Sequence, residues 1–344
     1  MKYVFRISSH FTFYLCRSYI KSESLDLNNC ILFLVRNYRI PPKYDDEFPR
    51  QIRTEYNIDQ KNGRVFAGLN IFKTQRNIAQ FDQLVDSYIG EDSFVWYTQV
   101  CNDDLCSLMV TKDNCCGYYV IEDGLGSYLP NNPRTFVGWK YWVYKLILNR
   151  FFPRIYSVKS WYINSEHPKF RGCIASSQKC FPLHQDSLKV IDVVYDRCEL
   201  GKTPDVILSV DPLFFFIDNT IVSLVYRDLA SYMERKGYNI LYYKFHPYFN
   251  NQVNLEKRKS YEAMIKKYFK MQVEEISPDF SLENILYTYK CDFYTSRSAV
   301  SIYASSMGAP CYSYSRLIEK YDVNYKELRV VENFCFMIDS KTEE

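Results

Sequence analysis

Short apolar runs alternate along the chain with longer stretches in which apolar residues recur every three or four positions. The short runs predict strands and the longer stretches predict helices, because side chains repeat every two residues in a strand and about every 3.6 in a helix. The predicted strands are Tyr3–Ile7, Cys30–Val35, Ser93–Val100, Gly117–Ile121, Val206–Val210, Asn239–Phe245, Met271–Ile276 and Cys291–Thr295. The predicted helices are His10–Ile20, Asn77–Ile89, Asn219–Lys236, Leu255–Phe269, Ser281–Tyr289 with Ser281 as N-cap, and Ala299–Met307.

This alternation occurs in two blocks, one at each end of the 344-residue chain. Strands that alternate with helices are typical of parallel sheets covered by helices on both faces. We therefore predict an α/β protein with two Rossmann-like domains that face one another. The expected boundaries are 1–137 for the first domain, 138–180 for an interdomain segment, 181–325 for the second domain and 326–344 for a tail.

The composition excludes several classes of protein. Hydrophobic residues make up 47% and charged residues 24%, and 43 Lys+Arg against 40 Asp+Glu leave a net charge of only +3. A disordered chain and a nucleic-acid binder that acts through bulk charge are both excluded, so we expect no nucleic-acid partner. The 12 cysteines contain no C-x-x-C pair and the chain contains no D-x-D, so we expect no metal and no cofactor. The N-terminal residues do not resemble a secretory signal, so we expect reduced thiols and a cytoplasmic location.

A basic and aromatic segment, Gly138–Arg154, connects the two blocks and contains no acidic residue. Its basic residues are Lys140, Lys145, Arg150 and Arg154, and it holds two of the four tryptophans. One interpretation is an interdomain helix whose aromatic face packs on a domain. The other is a peripheral helix at the inner face of the cytoplasmic membrane, where Trp139–Arg154 contacts anionic lipid. No run of about 18 apolar residues predicts a membrane-spanning helix.

Three polar clusters each follow the carboxyl end of a predicted strand, which is where ligands bind in open α/β sheets. The first cluster is Glu122-Asp123-Gly124. Two adjacent acids in an extended chain point to opposite sides, so one can face the crevice while the other anchors the loop. A carboxylate in the crevice can take a proton from a hydroxyl group, and Gly124 allows the backbone to approach a ligand. A plain acidic turn is the alternative.

The second cluster is Lys244–Pro247, in which His246 is held in extended geometry because Pro247 follows it. Histidine changes its charge near neutral pH and can assist the departure of a phosphate. The third cluster contains Ser296 and Ser298, just before a predicted helix, where hydroxyls and backbone N–H groups can bind an anion. The alternatives are a hydrogen-bonded surface histidine and ordinary N-capping by Ser298.

In this order the three clusters resemble the motifs of the bacterial lipooligosaccharide sialyltransferases and capsular polysialyltransferases, a group similar to glycosyltransferase family 52. Those enzymes carry a D/E-D/E-G motif, an HP motif and a serine-containing phosphate motif, which Glu122–Gly124, His246–Pro247 and Ser296 with Ser298 match. The resemblance implies the GT-B arrangement of two Rossmann-like domains. It also implies an inverting, metal-independent transfer of sialic acid from CMP-sialic acid to a hydroxyl of a surface glycan, in lipooligosaccharide or capsule.

The resemblance also assigns roles to the candidate residues. Asp123 or Glu122 would act as the base toward a glycan acceptor bound by the first domain, with Asp218 as a third candidate. His246 would offset the charge on the leaving phosphate of the CMP-sugar donor in the second domain. The remaining substrate-binding candidates are Gly124, Lys244, Pro247, Ser296 and Ser298.

Two other functions fit the same residues. A transferase of the same fold that uses CMP-Kdo or another CMP-linked nonulosonate would carry the same motifs, since both donors share CMP and an anionic sugar. A protein of another class, a catalytically silent and membrane-associated scaffold of polysaccharide assembly, would keep the fold without needing the acid and the histidine. The sequence leaves open whether the chain forms a homodimer.

Overall fold

Two compact units, Met1–Val194 and Tyr195–Glu344, make up the chain in a computed structural model. The described residues are 1–35, 38–53, 71–101, 103–129, 150–156, 163–211, 217–246, 249, 254–278, 280–296, 298–322, 324–325 and 334–338. Within them each unit contains one parallel sheet. This arrangement confirms the predicted α/β class with two parallel sheets.

The sheet of the first unit has, over the described residues, the strand order β3-β2-β1-β4-β5-β6-β7. Its strands are β1 (Lys2–Ile7), β2 (Cys30–Leu34), β3 (Gln51–Arg53), β4 (Phe94–Thr98), β5 (Cys115–Ile121), β6 (Phe170–Ala175) and β7 (Leu188–Val190). The helices of this unit are α1 (His10–Ser22), α2 (Ile71–Ile89), α3 (Asp104–Val110) and α4 (Pro153–Tyr156). The chain builds β2 and β3 on one side of β1 and later strands on the other, so the topological switch point lies between β1 and β4.

The sheet of the second unit has the order β10-β9-β8-β11-β12-β13 in the part of the chain that the structure describes. Its strands are β8 (Val206–Val210), β9 (Ile240–Phe245), β10 (Gln272–Glu275), β11 (Asp292–Thr295), β12 (Cys311–Ser313) and β13 (Phe336–Met337). Its helices are α5 (Asn219–Lys236), α6 (Leu255–Tyr268), α7 (Leu282–Tyr289), α8 (Val300–Ser306) and α9 (Ser315–Tyr321). The switch point of this sheet lies between β8 and β11.

Local sequence explains the two elements that frame this second switch point. All five residues of β8 are buried, as expected for a central parallel strand covered on both faces. Helix α5 begins at the N-cap Asp218 and ends at Gly237, which takes the left-handed conformation (φ +76°) that glycine adopts without steric cost. Its buried residues recur at helical spacing and pack on the sheet; they are Val222, Val225, Tyr226, Leu229, Ala230 and Met233.

The first unit extends to Val194, whereas the sequence pattern placed the end of the first domain at residue 137. The reason is that β6 and β7 add to the edge of the first sheet. Arg171 and Gly172 interrupt the apolar run in β6, and the pairing with β5 changes register at this point. Strand β7 has only three residues, and none of them is fully buried. The sequences of β6 and β7 therefore lack the apolar pattern that predicts a strand.

Arg154, at the end of the basic and aromatic segment, binds groups of the first unit. Its guanidinium donates two hydrogen bonds to the carboxylate of Asp82 in α2, at 2.6 and 2.9 Å. It also donates to the carbonyl of Leu108 at 3.1 Å and to the hydroxyl of Thr111 at 3.2 Å. These contacts favour the packing interpretation for this end of the segment, while 138–149 lie outside the described residues. None of the described helices has the length and hydrophobicity that crossing a bilayer requires.

We predict that the Arg154–Asp82 ion pair stabilises the first unit at neutral pH and loses this effect in the acidic pH range. Burial raises the pKa of Asp82, but hydrogen bonds and charge from Arg154 and Lys112 outweigh it and leave the pKa below its ordinary value. A carboxyl with a lowered pKa adds stability above its unfolded pKa, about 4, and loses it as the pH falls through the folded value. Asp82→Asn should lower the free energy of unfolding by about 1 kcal/mol at pH 7.

Urea unfolding of wild type and variant at pH 7 and pH 3 measures this difference, which should be smaller at pH 3. Asp86→Asn is the matched control, because Asp86 is more exposed and forms its ion pair with Lys112 at 2.8 Å. The control should have the smaller effect. A deficit for Asp82→Asn of the same size at both pH values would contradict the electrostatic explanation.

Candidate functional site

A buried carboxylate joins two strand ends at the switch point of the second sheet. Asp211 directly follows β8 and is 2% exposed. Its Oδ1 accepts a hydrogen bond from the hydroxyl of Ser209 at 3.0 Å. Its Oδ2 accepts from the hydroxyl of Thr295 at 2.9 Å, and from the N–H and hydroxyl of Ser296 at 2.8 and 2.7 Å. Asp211 therefore fixes the end of β11 to the end of β8.

Ser296 is occupied by this network. It is fully buried, both of its donors point to Asp211, and its carbonyl accepts a hydrogen bond from Ser313 Oγ at 3.1 Å. The sequence analysis assigned Ser296 to phosphate binding, but an incoming phosphate would have to displace Asp211 to reach these donors. Ser298 is half-buried, and its hydroxyl accepts a hydrogen bond from the N–H of Val300 at 3.2 Å. That contact is the ordinary capping interaction at the start of α8.

His246 lies at the same edge of the sheet and is exposed. It follows β9, and its backbone N–H donates to the carbonyl of Val210 at 3.1 Å, which places it beside the residue that precedes Asp211. Lys244 has a different environment, because its ammonium donates to the carbonyls of Ser277, Pro278 and Phe280, the first two at 3.1 and 3.2 Å. Lys244 thus secures the loop after β10. Pro247 lies outside the described residues.

Asp218, the third candidate base, caps helix α5. Its carboxylate accepts a hydrogen bond from the N–H of Thr220 at 2.7 Å and is exposed. Hydrogen bonds from Thr220 lower the pKa of Asp218. A carboxylate with a lowered pKa is a weaker proton acceptor, so capping explains this residue better than base catalysis does.

The acidic cluster of the first unit contains a second buried carboxylate. Glu122 follows β5 and is fully buried. Its Oε1 accepts a hydrogen bond from the hydroxyl of Tyr128 at 2.6 Å, and its Oε2 accepts from the N–H and hydroxyl of Ser176 at 2.7 and 2.8 Å. Burial and the charge of Glu122 raise the pKa of Tyr128 well above its ordinary value. Glu122 therefore anchors the loop and fixes the end of β5 to the residue after β6.

Asp123, the neighbour of Glu122, is half-buried and begins a tight turn over Gly124–Tyr128. Its N–H donates to Ser127 Oγ at 3.0 Å, and Gly124 takes a left-handed conformation (φ +72°) that suits glycine. One carboxylate oxygen of Asp123 lies 3.5 Å from the hydroxyl of Ser8, which directly follows β1. Of the two acids, Asp123 is the one that a substrate can reach.

The candidate residues thus form two groups. Asp123, Gly124 and Ser8 lie at the carboxyl edge of the first sheet, while His246 and Ser298 flank Asp211 at the carboxyl edge of the second. The sequence analysis missed Asp211, although it follows a buried strand just as Glu122 does. That shared position was the signal that could have identified it. Across the described residues, no three His, Cys, Asp or Glu side chains are grouped so that they could hold a metal ion.

We predict that Asp211 is essential to the stability of the second unit. Asp211→Ala leaves four buried donors without their acceptor, which should lower the free energy of unfolding by about 3 kcal/mol. Asp218→Asn, in the same strand–helix connection, should leave it nearly unchanged because asparagine also caps helices. Urea unfolding of the three proteins measures both effects, and equal stability of Asp211→Ala and wild type would contradict the proposed network.

No protein-family model matches this sequence, and no curated protein is similar to it at a significant level. Solved structures are similar in fold. One, S. aureus MnaA in a UDP co-structure, is 12% identical with a TM-score of 0.52, covering 91% of this chain and 79% of that chain. Another, a putative UDP-N-acetylglucosamine 2-epimerase from Listeria monocytogenes, is 11% identical with a TM-score of 0.50, covering 91% and 78%.

A third structure, the UDP-GlcNAc 2-epimerase from Neisseria meningitidis bound to UDP-GlcNAc, is 10% identical with a TM-score of 0.48, covering 98% and 95%. The first two similarities, together with the two parallel sheets, confirm the predicted GT-B class of fold. At this level of identity the likeness shows the fold alone.

Proposed function

We propose that this protein is an inverting glycosyltransferase that moves sialic acid from CMP-sialic acid to a hydroxyl of a surface glycan, of the lipooligosaccharide or capsule type. The observation that carries the proposal is the position of His246, exposed beside the β8–β11 switch point of a GT-B fold. The motif order and the fold both agree with the sialyltransferase resemblance.

The donor side uses His246 as the acid. The leaving group of a CMP-sugar is CMP, a nucleoside monophosphate. Its single phosphate group must therefore accept the negative charge that develops when the bond to the sugar breaks. A protonated imidazole at this strand end stabilises that charge or donates its proton to the phosphate oxygen. Asp211 supports the site indirectly, because it holds the turn that leads to Ser298 and α8. Ser298 contacts the phosphate if its hydroxyl turns away from Val300.

The acceptor side uses Asp123 as the base. Its carboxylate takes the proton of the acceptor hydroxyl while the hydroxyl oxygen attacks the anomeric carbon from the face opposite to CMP, which inverts the configuration there. Ser8 orients this carboxylate through its 3.5 Å contact. Glu122 is unsuited to the role, because its oxygens are buried and accept hydrogen bonds from Tyr128 and Ser176. The structural roles of Lys244 and Asp218 leave His246 and Asp123 as the reacting pair.

A reaction on a UDP-sugar is the second candidate function. The observation in its favour is that two of the similar structures are a UDP co-structure and a putative UDP-N-acetylglucosamine 2-epimerase. A CMP-linked Kdo or other nonulosonate remains the nearest variant of the main proposal, because it presents the same nucleotide and a similar carboxylate. One donor screen separates these candidates.

We predict that the purified protein releases CMP from CMP-sialic acid and that His246→Ala lowers this turnover by about 10²- to 10⁴-fold. Nucleotide release is measured by chromatography with a panel of CMP-sugars and UDP-sugars. The matched control is His184→Ala, since His184 lies in the first unit beside Phe170 and has no proposed contact with substrate. Release of UDP alone favours the second candidate, and turnover by His246→Ala equal to that of the control would refute the role of the imidazole.

We also predict that Asp123→Asn lowers transfer by about 10²-fold or more, while Asp218→Asn keeps most of the activity. The reason is that only Asp123 combines accessibility with a position at the acceptor-side strand end. Transfer is measured as product formation at saturating donor and acceptor, so that the comparison reports kcat. The opposite ranking of the two variants would assign the base to Asp218.

A further inference from the structure

Two cysteines lie opposite each other where the short strand β13 joins the second sheet. The parallel register pairs Tyr312 with Phe336 and Ser313 with Met337, so Cys311 and Cys335 are the preceding pair in the same register. Their Sγ atoms are 3.0 Å apart. Adjacent strands lie about 4.8 Å apart, and a disulfide joins Cα atoms about 4.4–6.8 Å apart, so this register suits a cross-link without a large backbone movement.

We propose that Cys311 and Cys335 are a redox pair that forms a disulfide and thereby fastens β13 to β12. The oxidant is a small-molecule disulfide of the glutathione type. Cys335 Sγ attacks one sulfur of the oxidant to give a mixed disulfide and releases one thiol. Cys311 Sγ then attacks Cys335 Sγ, loses its proton and releases the second thiol, so two protein thiols are oxidised while one small disulfide is reduced to two thiols.

Accessibility sets the order of these steps. A cavity of about 400 Å³ reaches the pair, and both Cys311 and Cys335 line it. Cys335 is half-buried and Cys311 is buried, so the oxidant meets Cys335 first. Burial holds the pKa of the Cys311 thiol well above its ordinary value, which makes it a poor first nucleophile. In the second step the attack of Cys311 is assisted because the sulfur that it attacks, Cys335 Sγ, is already in contact with it.

The disulfide would act on the short edge strand β13. Strand β13 has two residues, and its described contacts with β12 include this short pairing, the hydrogen bond from Ile338 N–H to the carbonyl of Ser313 at 2.9 Å, and the ring contact of Tyr312 with Phe336. A disulfide between positions 24 residues apart lowers the conformational entropy that the chain between them has when β13 is not paired with β12. Oxidation therefore adds a covalent attachment of β13 to β12 to these non-covalent contacts.

The experiment uses the full chain, treated with either oxidised or reduced glutathione, quenched in acid, alkylated, digested and analysed by mass spectrometry. We expect oxidised samples to contain the peptides of Cys311 and Cys335 joined by a disulfide, and Cys311→Ser to stop at glutathione on Cys335. Cys116→Ser is the matched control, because Cys116 is an exposed thiol of the first unit, and this variant should still form the link. Glutathione on Cys335 of the wild type without the link would overturn the proposal.

A second measurement tests the fastening itself and does not depend on any variant. Chymotrypsin cleavage after Phe336, which is 66% exposed, releases residues 337–344, and the rate of release is followed by intact mass. We expect the oxidised protein to release this fragment at least tenfold more slowly than the reduced protein. Equal rates would show that the disulfide does not secure β13. Neither measurement involves a sugar donor, so the result is independent of the proposed transferase activity.

Discussion

A carboxylate that leaves water must receive hydrogen bonds from the protein, and this requirement governs both sheets. Asp211 meets it with donors from Ser209, Thr295 and Ser296, and Glu122 meets it with donors from Tyr128 and Ser176. In each unit the buried acid follows one strand and its principal donor follows the adjacent strand. The strand ends are therefore fixed relative to each other before any substrate binds.

This constraint separates structural groups from groups that are available for chemistry. The carboxylate of Glu122 is committed to its neighbours, while Asp123 is accessible at the same loop. In the second unit Ser296 is committed to Asp211, and His246 is exposed one strand away. In each unit an accessible side chain thus lies next to a hydrogen-bonded base, and such a base holds its neighbours in defined positions.

The sequence predicted the fold class well, because long amphipathic helices such as α5 and fully buried strands such as β8 have unambiguous periodicity. It predicted less about short edge strands such as β7, whose stability comes from pairing with the neighbouring strand β6 and not from an apolar pattern of its own. The same holds for the site. Glu122 and Asp123 look alike in sequence, and two of the partners of Asp211, Thr295 and Ser296, lie 84 and 85 positions away, so only tertiary contacts distinguish the roles of these acids.

The two carboxylate networks have a consequence for protein engineering. Each hydrogen bond described for Glu122 joins residues before Val194, and each one described for Asp211 joins residues after Tyr195. A chimaera made by exchanging one whole unit at this junction interrupts neither set of bonds. The two units can therefore be recombined between homologous chains as separate modules, each of which carries its own internal scaffold.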